Sequence, residues 1–223
     1  MTTETYLPEV LPARDLFLKM KFRASQIDAM RQLYNKWFKP FIDSDFQYVG
    51  NGISIFWNNG ANTEGRKYVD PFNCHGYNLE EVTADPLWNE FEDILPYMGQ
   101  TGTITYLPPF SVMTPHIDRN IRPVPIYFPI SGCSTNCVSD FYNLPKSTDP
   151  TAYHSSIEPA IPVYSYAITD NAVLMNQHEW HGVRNHTRQT RIAFGWNTAG
   201  GPNKKSYAQL RDIFTELGYI DEQ

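Results

Sequence analysis

The sequence predicts a mainly β protein of the α+β kind, a jelly-roll sandwich or open barrel with helices packed around it. Two observations carry that reading. Aromatic residues make up 14% of the 223-residue chain, with 14 Tyr, 13 Phe and 5 Trp, a composition that suits packed strands. Between about residues 100 and 198, short β-rich runs follow one another, separated by Pro, Gly, Asn and Asp. Helical periodicity is confined to the flanks. At this length an all-β barrel forms one core, so residues 1–223 are expected to be a single domain with its catalytic core at about 100–198.

The elements follow in order. Ser25-Gln-Ile-Asp28 reads as a capping box. Ile27, Met30, Leu33, Tyr34, Trp37 and Phe38 then recur at helical spacing until Pro40, predicting a helix over 25–39. Phe46–Trp57 alternates well enough to add an edge strand. Asp85-Pro86 caps and starts a helix over 85–95, with Leu87, Trp88, Phe91, Ile94 and Leu95 on one face. Strands are expected at Thr101–Leu107, Pro123–Ser131, Val138–Tyr142, Val163–Thr169, Ala172–Met175, Gly182–Asn185 and Thr190–Asn197. A last helix spans 206–217 and stops at Gly218. Two polar stretches, 58–78 and 143–160, read as lids or as passive insertions.

Composition narrows the function classes. Lys plus Arg number 18 against 24 Asp plus Glu, a net charge of -6, so the overall balance lacks the basic footprint of a nucleic-acid-binding protein. The first residues show no basic start followed by an apolar core, and no apolar run reaches membrane-spanning length. A cytoplasmic location is the expectation. Cys74, Cys133 and Cys137 are odd in number and lack zinc-site spacing, which leaves them as ordinary buried thiols.

The chemistry lies in three separated pieces: His116-Ile-Asp118, His181, and Arg191. Two residues apart on extended backbone, His116 and Asp118 leave the same face with Cα atoms roughly 6.5 to 7 Å apart. His181 joins them as a third ligand, giving two histidines and one carboxylate. His178 competes with His181, but the zinc-protease pattern His-Glu-x-x-His is one residue short here. The polar stretch Asn185 to Gln189 can turn, so the flanking runs are expected to pair as a hairpin. An odd-numbered loop centred on Thr187 would put Arg191 opposite Val183, on the face of His181; a shift of half a residue would turn it away. That offset of roughly 7 Å suits a five-carbon dicarboxylate that chelates the metal at one end and meets the guanidinium at the other.

The order His-x-Asp, then a distal His in a His-x-Val-x-Asn context, then Arg ten residues on, resembles the 2-oxoglutarate and Fe(II)-dependent oxygenases. Within them, His181-Gly-Val-Arg-Asn185 followed by Arg191 is most similar to the aspartyl/asparaginyl β-hydroxylase branch. The likeness covers roughly residues 100 to 198. It implies a double-stranded β-helix, with Fe(II), 2-oxoglutarate and O2 as cofactors and succinate and CO2 as co-products. It also implies hydroxylation of an amino acid or protein side chain, with His116, Asp118 and His181 holding iron and Arg191 anchoring the co-substrate. Two departures stand out. Members of that branch manage with two histidines, whereas this chain supplies Asp118. They also carry a histidine and an arginine on the strand after the first ligand, where this chain has Tyr127 and Pro125. Tyr127 is therefore a candidate hydroxyl donor to the co-substrate, and Thr105, on the preceding strand, is a second.

Arg119, Arg122 and Trp180 flank the ligands as candidate substrate contacts, with Tyr142 and Arg184 beside them. The expected partner is a small molecule or peptide, with no membrane and no nucleic acid. Two other classes fit part of the pattern. A metal-binding cupin that isomerises or binds a small acid would keep His116 and His181 and make Arg191 dispensable. A non-catalytic β-domain would hold no metal.

Overall fold

A computed structural model describes residues 5–40, 67–69, 79–118, 123–149, 154–155 and 160–221. Its strands are β1 Thr5–Tyr6, β2 Phe17–Lys19, β3 Lys67–Val69, β4 Met98–Leu107, β5 Val112–Ile117, β6 Pro125–Ser131 and β7 Cys137–Phe141, followed by β8 Lys146–Ser147, β9 His154–Ser155, β10 Tyr164–Ala167, β11 Val173–Met175, β12 His181–Asn185 and β13 Arg191–Thr198. They form a six-stranded sheet in the order β2-β11-β6-β13-β4-β3, a five-stranded sheet β10-β7-β12-β5-β9, and a ribbon β1-β8. Every recorded pairing is antiparallel.

Side-chain alternation sets which way each sheet faces. On β13, Ile192, Phe194 and Trp196 pack with Ile27, Met30, Leu33, Phe91 and Phe214 of the flanking helical segments. Arg191, Ala193 and Gly195 therefore project from the opposite face, towards the five-stranded sheet. Two apolar clusters fill that space from both sides: Tyr127, Val173 and Ala193 meet Phe141, and Leu107 meets Met113, Cys137 and Val183. The helical side is the larger core, and its aromatic rings lock edge to face, as in the Phe91–Trp196 pair at 5.6 Å and 88°.

Most predicted strands match observed ones to within a few residues, and the last helix, Tyr207–Glu216, starts at Ser206 with a capping box to Gln209. Gly218 then takes a left-handed φ of +79, as a helix-ending glycine should. Three details differ from the sequence reading. The first helix, Ala24–Leu33, begins before Ser25 and continues as a π turn through Tyr34–Phe38. Gln26, not Asp28, reaches back to the Arg23 amide at 3.0 Å, and Ser25 donates to Glu90 instead. The expected helix 85–95 is two 3-10 stretches, Pro86–Phe91 and Leu95–Tyr97, because its buried residues Trp88, Phe91 and Ile94 fall at intervals of three.

The third difference concerns the hairpin. Strands β12 and β13 do not pair. The first lies between β5 and β7 and the second between β4 and β6, so the turn at 186–190 crosses from one sheet to the other. Buried Asn185 holds that crossing: its Nδ2 donates to the carbonyls of Leu107, Pro108 and Gln189. Its two hydrogens, shared among these three carbonyls, tie the crossing to the end of β4. The expected strand Phe46–Trp57 lies outside the described residues. Of the polar stretch 143–160, the described part contributes β8 and β9. Among the described residues no helix is long and apolar enough to cross a membrane.

Asp85 ties the helical layer together. Its side chain accepts from the Leu87 amide at 3.0 Å, from the Trp37 indole at 2.8 Å and from Lys36 at 2.5 Å. Burial pushes this carboxyl up, but the hydrogen bonds from Lys36, Leu87 and Trp37 and the Lys36 charge outweigh it, leaving it below the ordinary value of 3.8. A depressed carboxyl stabilises the fold above its unfolded pKa, and that contribution is lost as pH falls through the folded value. Asp85→Ala is expected to destabilise the protein by about 2–4 kcal/mol at pH 7. In urea unfolding, the gap to wild type should narrow once the pH drops below 3.8; a gap that stays constant down to pH 2 would contradict this assignment.

Candidate functional site

The two histidines meet because β5 carries a bulge. His181 is registered with His116, but Val183 is registered with Met113, so three residues of β5 answer two of β12. Strict alternation would send Met113 and His116 to opposite faces. The extra residue at Thr114-Pro115 lets both face the interior, and a proline, having no N–H to give a ladder, suits that place. Across the bulge, Gly182 is required: a Cβ there would sit 2.7 Å from the Met113 carbonyl oxygen.

The result is a pair of imidazoles with ring centroids 4.2 Å apart. Each is held the same way. His116 Nδ1–H donates to the Thr114 carbonyl at 2.9 Å, and His181 Nδ1–H to the Glu179 carbonyl at 2.8 Å. A carbonyl can only accept, so the proton is on Nδ1 and the lone pair is on Nε2, the tautomer a metal ligand needs. Burial, with the neighbouring His116 adding to it, presses His181 down to about 3, against the opposing pull of Asp118 and the Glu179 carbonyl. His181 is thus neutral at any ordinary pH.

Asp118 follows the end of β5, and its backbone N–H donates to the Gln177 carbonyl at 3.0 Å. Its negative charge acts on His181. Among the described residues, no three His, Cys, Asp or Glu side chains stand together as a closed metal-holding group. What is preformed is the histidine pair, with the carboxylate beside it. Two imidazole nitrogens and a carboxylate oxygen are donors that suit a borderline divalent ion such as Fe(II).

Arg191 begins β13 opposite Leu107 and is 3% exposed. Its Nε has no hydrogen-bond partner, and no ion pair to it is found among the described residues. It lies beside Cys137, whose thiol burial raises to about 11 despite the pull of the Arg191 charge. Thr105, registered with Ala193 one pleat along, occupies the same inward face, and its hydroxyl donates to the Ala193 carbonyl at 3.3 Å. Arg191 therefore reaches the interior from the sheet facing His181, not from a hairpin beside it.

Tyr127 faces the same interior from β6, opposite Gly195. Any Cβ at Gly195 would come 2.7 Å from its ring, so that glycine gives the phenol its place. The Tyr127 hydroxyl accepts from Gln177 Nε2 at 2.6 Å. Because Gln177 also bonds the Asp118 backbone, Tyr127 belongs to the Asp118 end of the site, away from Arg191.

Sequence reasoning missed two supports. Gln177 is one. The other is Lys146 on β8, which pairs with the Glu179 carboxylate and donates to the His178 carbonyl at 3.4 Å, clamping the turn whose Glu179 carbonyl orients His181. A lysine in a proline-bearing polar stretch gives no signal of this. Of the candidate substrate contacts, Trp180 is packed among Ile117 and Tyr142, its indole N–H donating to the Pro145 carbonyl at 3.1 Å. Arg184 is held by a two-point ion pair with fully buried Asp140, and Tyr142 donates to that same carboxylate. Arg119 and Arg122 lie outside the described residues.

No protein-family model matches the sequence, and no curated protein matches it. Solved structures do. AviO1 from Streptomyces viridochromogenes Tue57 is similar over 86% of this chain and 93% of its own, at 14% identity and a TM-score of 0.50. The non-heme alpha ketoglutarate dependent epimerase SnoN from nogalamycin biosynthesis is similar over 87% of this chain and 84% of its own, at 12% identity and a TM-score of 0.50. Facing antiparallel sheets, flanking helices and these likenesses together identify the architecture as a double-stranded β-helix.

Proposed function

We propose that this chain is an Fe(II)- and 2-oxoglutarate-dependent oxygenase. The observation that carries the reading is Arg191: a residue 3% exposed on the inward face of β13, with an Nε that has no partner among the described residues. An uncompensated buried charge is costly, and a carboxylate entering between the sheets would satisfy it with a two-point, charge-assisted contact. The opposite sheet supplies His116 and His181, each ring oriented through its Nδ1 contact to a backbone carbonyl. A five-carbon 2-oxo diacid has one end for each.

In this reading His116, His181 and Asp118 would hold the iron. Bound iron supplies the oxidising step, using O2 and the 2-oxo acid and leaving succinate and CO2. The chain's own residues position and shield. Arg191 fixes the distal carboxylate, Thr105 lines the wall next to it, and Tyr127 offers a hydroxyl at the Asp118 end. Apolar Leu107, Met113 and Val183 exclude water between the two ends, which strengthens each charged contact. SnoN, described as an alpha ketoglutarate dependent epimerase, supports the reading as a fold-level analogy. The distal motif favours an amino acid or protein side chain as substrate, with hydroxylation as the outcome. A metal-binding cupin without oxygenase activity would keep the histidines and leave Arg191 dispensable; the cost of burying that cation argues against it.

Anaerobic titration of the protein with Fe(II) and 2-oxoglutarate is expected to produce the weak visible charge-transfer band of the chelate. No band, and no stabilisation by either ligand, would refute the proposal. Arg191→Ala is expected to weaken 2-oxoglutarate binding about 100-fold, the loss of a two-point charged contact of roughly 3 kcal/mol. Unchanged affinity would remove Arg191 from the role.

A further inference from the structure

We infer that Asn185 is a positioning residue that fixes the separation between the metal end of the site and Arg191, and so the chain length of the diacid bound there. The inference rests on the proposed co-substrate reading. The two ends stand on different sheets, His181 on β12 and Arg191 on β13. These strands do not pair, so no ladder sets their distance. The crossing at 186–190 sets it instead, and Asn185, 1% exposed, is the last residue of β12 before that crossing.

Both ends of the Asn185 amide are engaged. Its Nδ2 hydrogens are shared among the carbonyls of Leu107 at 3.0 Å, Pro108 at 2.9 Å and Gln189 at 2.8 Å. Its Oδ1 accepts from the Thr187 amide at 3.0 Å and the Thr187 hydroxyl at 2.8 Å. Carbonyls on one side and donors on the other fix which way the amide lies. Leu107 is the β4 residue registered with Arg191, and Gln189 lies on the chain leading into it. One amide therefore holds both the strand partner of Arg191 and its approach. Leu107 also shares an apolar cluster with Cys137, the β7 residue registered with Asn185, which sets Arg191 against the Asn185 end of the five-stranded sheet. From the His181 rung to the Asn185 rung is roughly 13 Å of strand. The diacid and the long Arg191 side chain must together fill that interval. A buried, fully bonded network resists stretching, so one methylene more or fewer takes the distal carboxylate off the guanidinium fork.

Titration calorimetry of Mn(II)-loaded protein tests this without turnover. Wild type is expected to bind 2-oxoglutarate about 10-fold or more tightly than 2-oxoadipate, which is one methylene longer. Asn185→Ala should weaken 2-oxoglutarate about 10-fold and so erase most of that preference. Mn(II) affinity should stay within about twofold of wild type, as should binding of 2-oxobutyrate, which chelates but has no distal carboxylate. In the Arg191→Met background the same substitution should cost 2-oxoglutarate nothing further, because Asn185 acts through the guanidinium. A merely structural Asn185 would weaken Mn(II), 2-oxobutyrate and 2-oxoglutarate together, or leave all three unchanged. Either result overturns the inference, as does a preference that survives in Asn185→Ala. Should that variant not fold, Thr187→Val removes only the hydroxyl that bonds Asn185 Oδ1 and should shift the preference the same way by about threefold; an unchanged preference there overturns the inference. Wild-type protein that binds Mn(II) but no 2-oxoglutarate would overturn both this inference and the functional reading. Wild-type protein that binds 2-oxoglutarate and 2-oxoadipate equally would overturn this inference alone.

Discussion

A guanidinium 3% exposed on the inward face of β13, with no ion pair among the described residues, is the constraint from which the rest of the proposed site follows. Desolvating such a group costs several kcal/mol unless a partner returns the energy. Arg191 is held there by strand alternation: its neighbours Ile192, Phe194 and Trp196 are committed to the aromatic core against the helices, so Arg191 faces the other way. The fold thus carries a charge at a place where an apolar side chain would be less costly. In the proposed reading, a ligand carboxylate makes that position favourable.

The opposite sheet answers with a different device. A bulge at Thr114-Pro115 turns His116 inwards, Gly182 lets the neighbouring strand approach, and two backbone carbonyls fix the ring tautomers. Burial keeps His181 neutral, the state that metal binding in the proposed reading requires. Around this pair stands a layer of supports: Lys146 on the 178–179 turn, Gln177 between Asp118 and Tyr127, and Gly195 beneath the phenol. Each acts on something other than itself. Such placement by neighbours is how a site is held to useful tolerance on a β scaffold.

Much of the fold was legible because its signals are local. Short β-rich runs between Pro, Gly and Asn positions located nearly all the long strands, and Ser206 with Gly218 bracketed the last helix. His116, His181 and Arg191 could be named from spacing, yet the reason given for Arg191 was a hairpin that does not exist. Its face is decided by which side of β13 the core occupies, a property of the sheet order that no turn sequence reveals. The β5 bulge was equally invisible, since it depends on register with a strand 65 residues later. Gln177 gave no signal, because its worth lies in a contact to Tyr127, 50 residues away. In the helical layer, Trp88, Phe91 and Ile94 carried the three-residue period openly, and reading it as 3.6 cost the 3-10 assignment.

The central claim is that Arg191 is retained at a cost to stability for the sake of an anionic ligand. Urea unfolding of metal-free, ligand-free Arg191→Met against wild type tests it most directly. The account predicts a variant at least as stable as wild type, since an uncompensated buried charge is replaced by an apolar side chain of similar length. A loss of several kcal/mol would mean that the guanidinium has a structural partner in the folded protein, and would contradict the account.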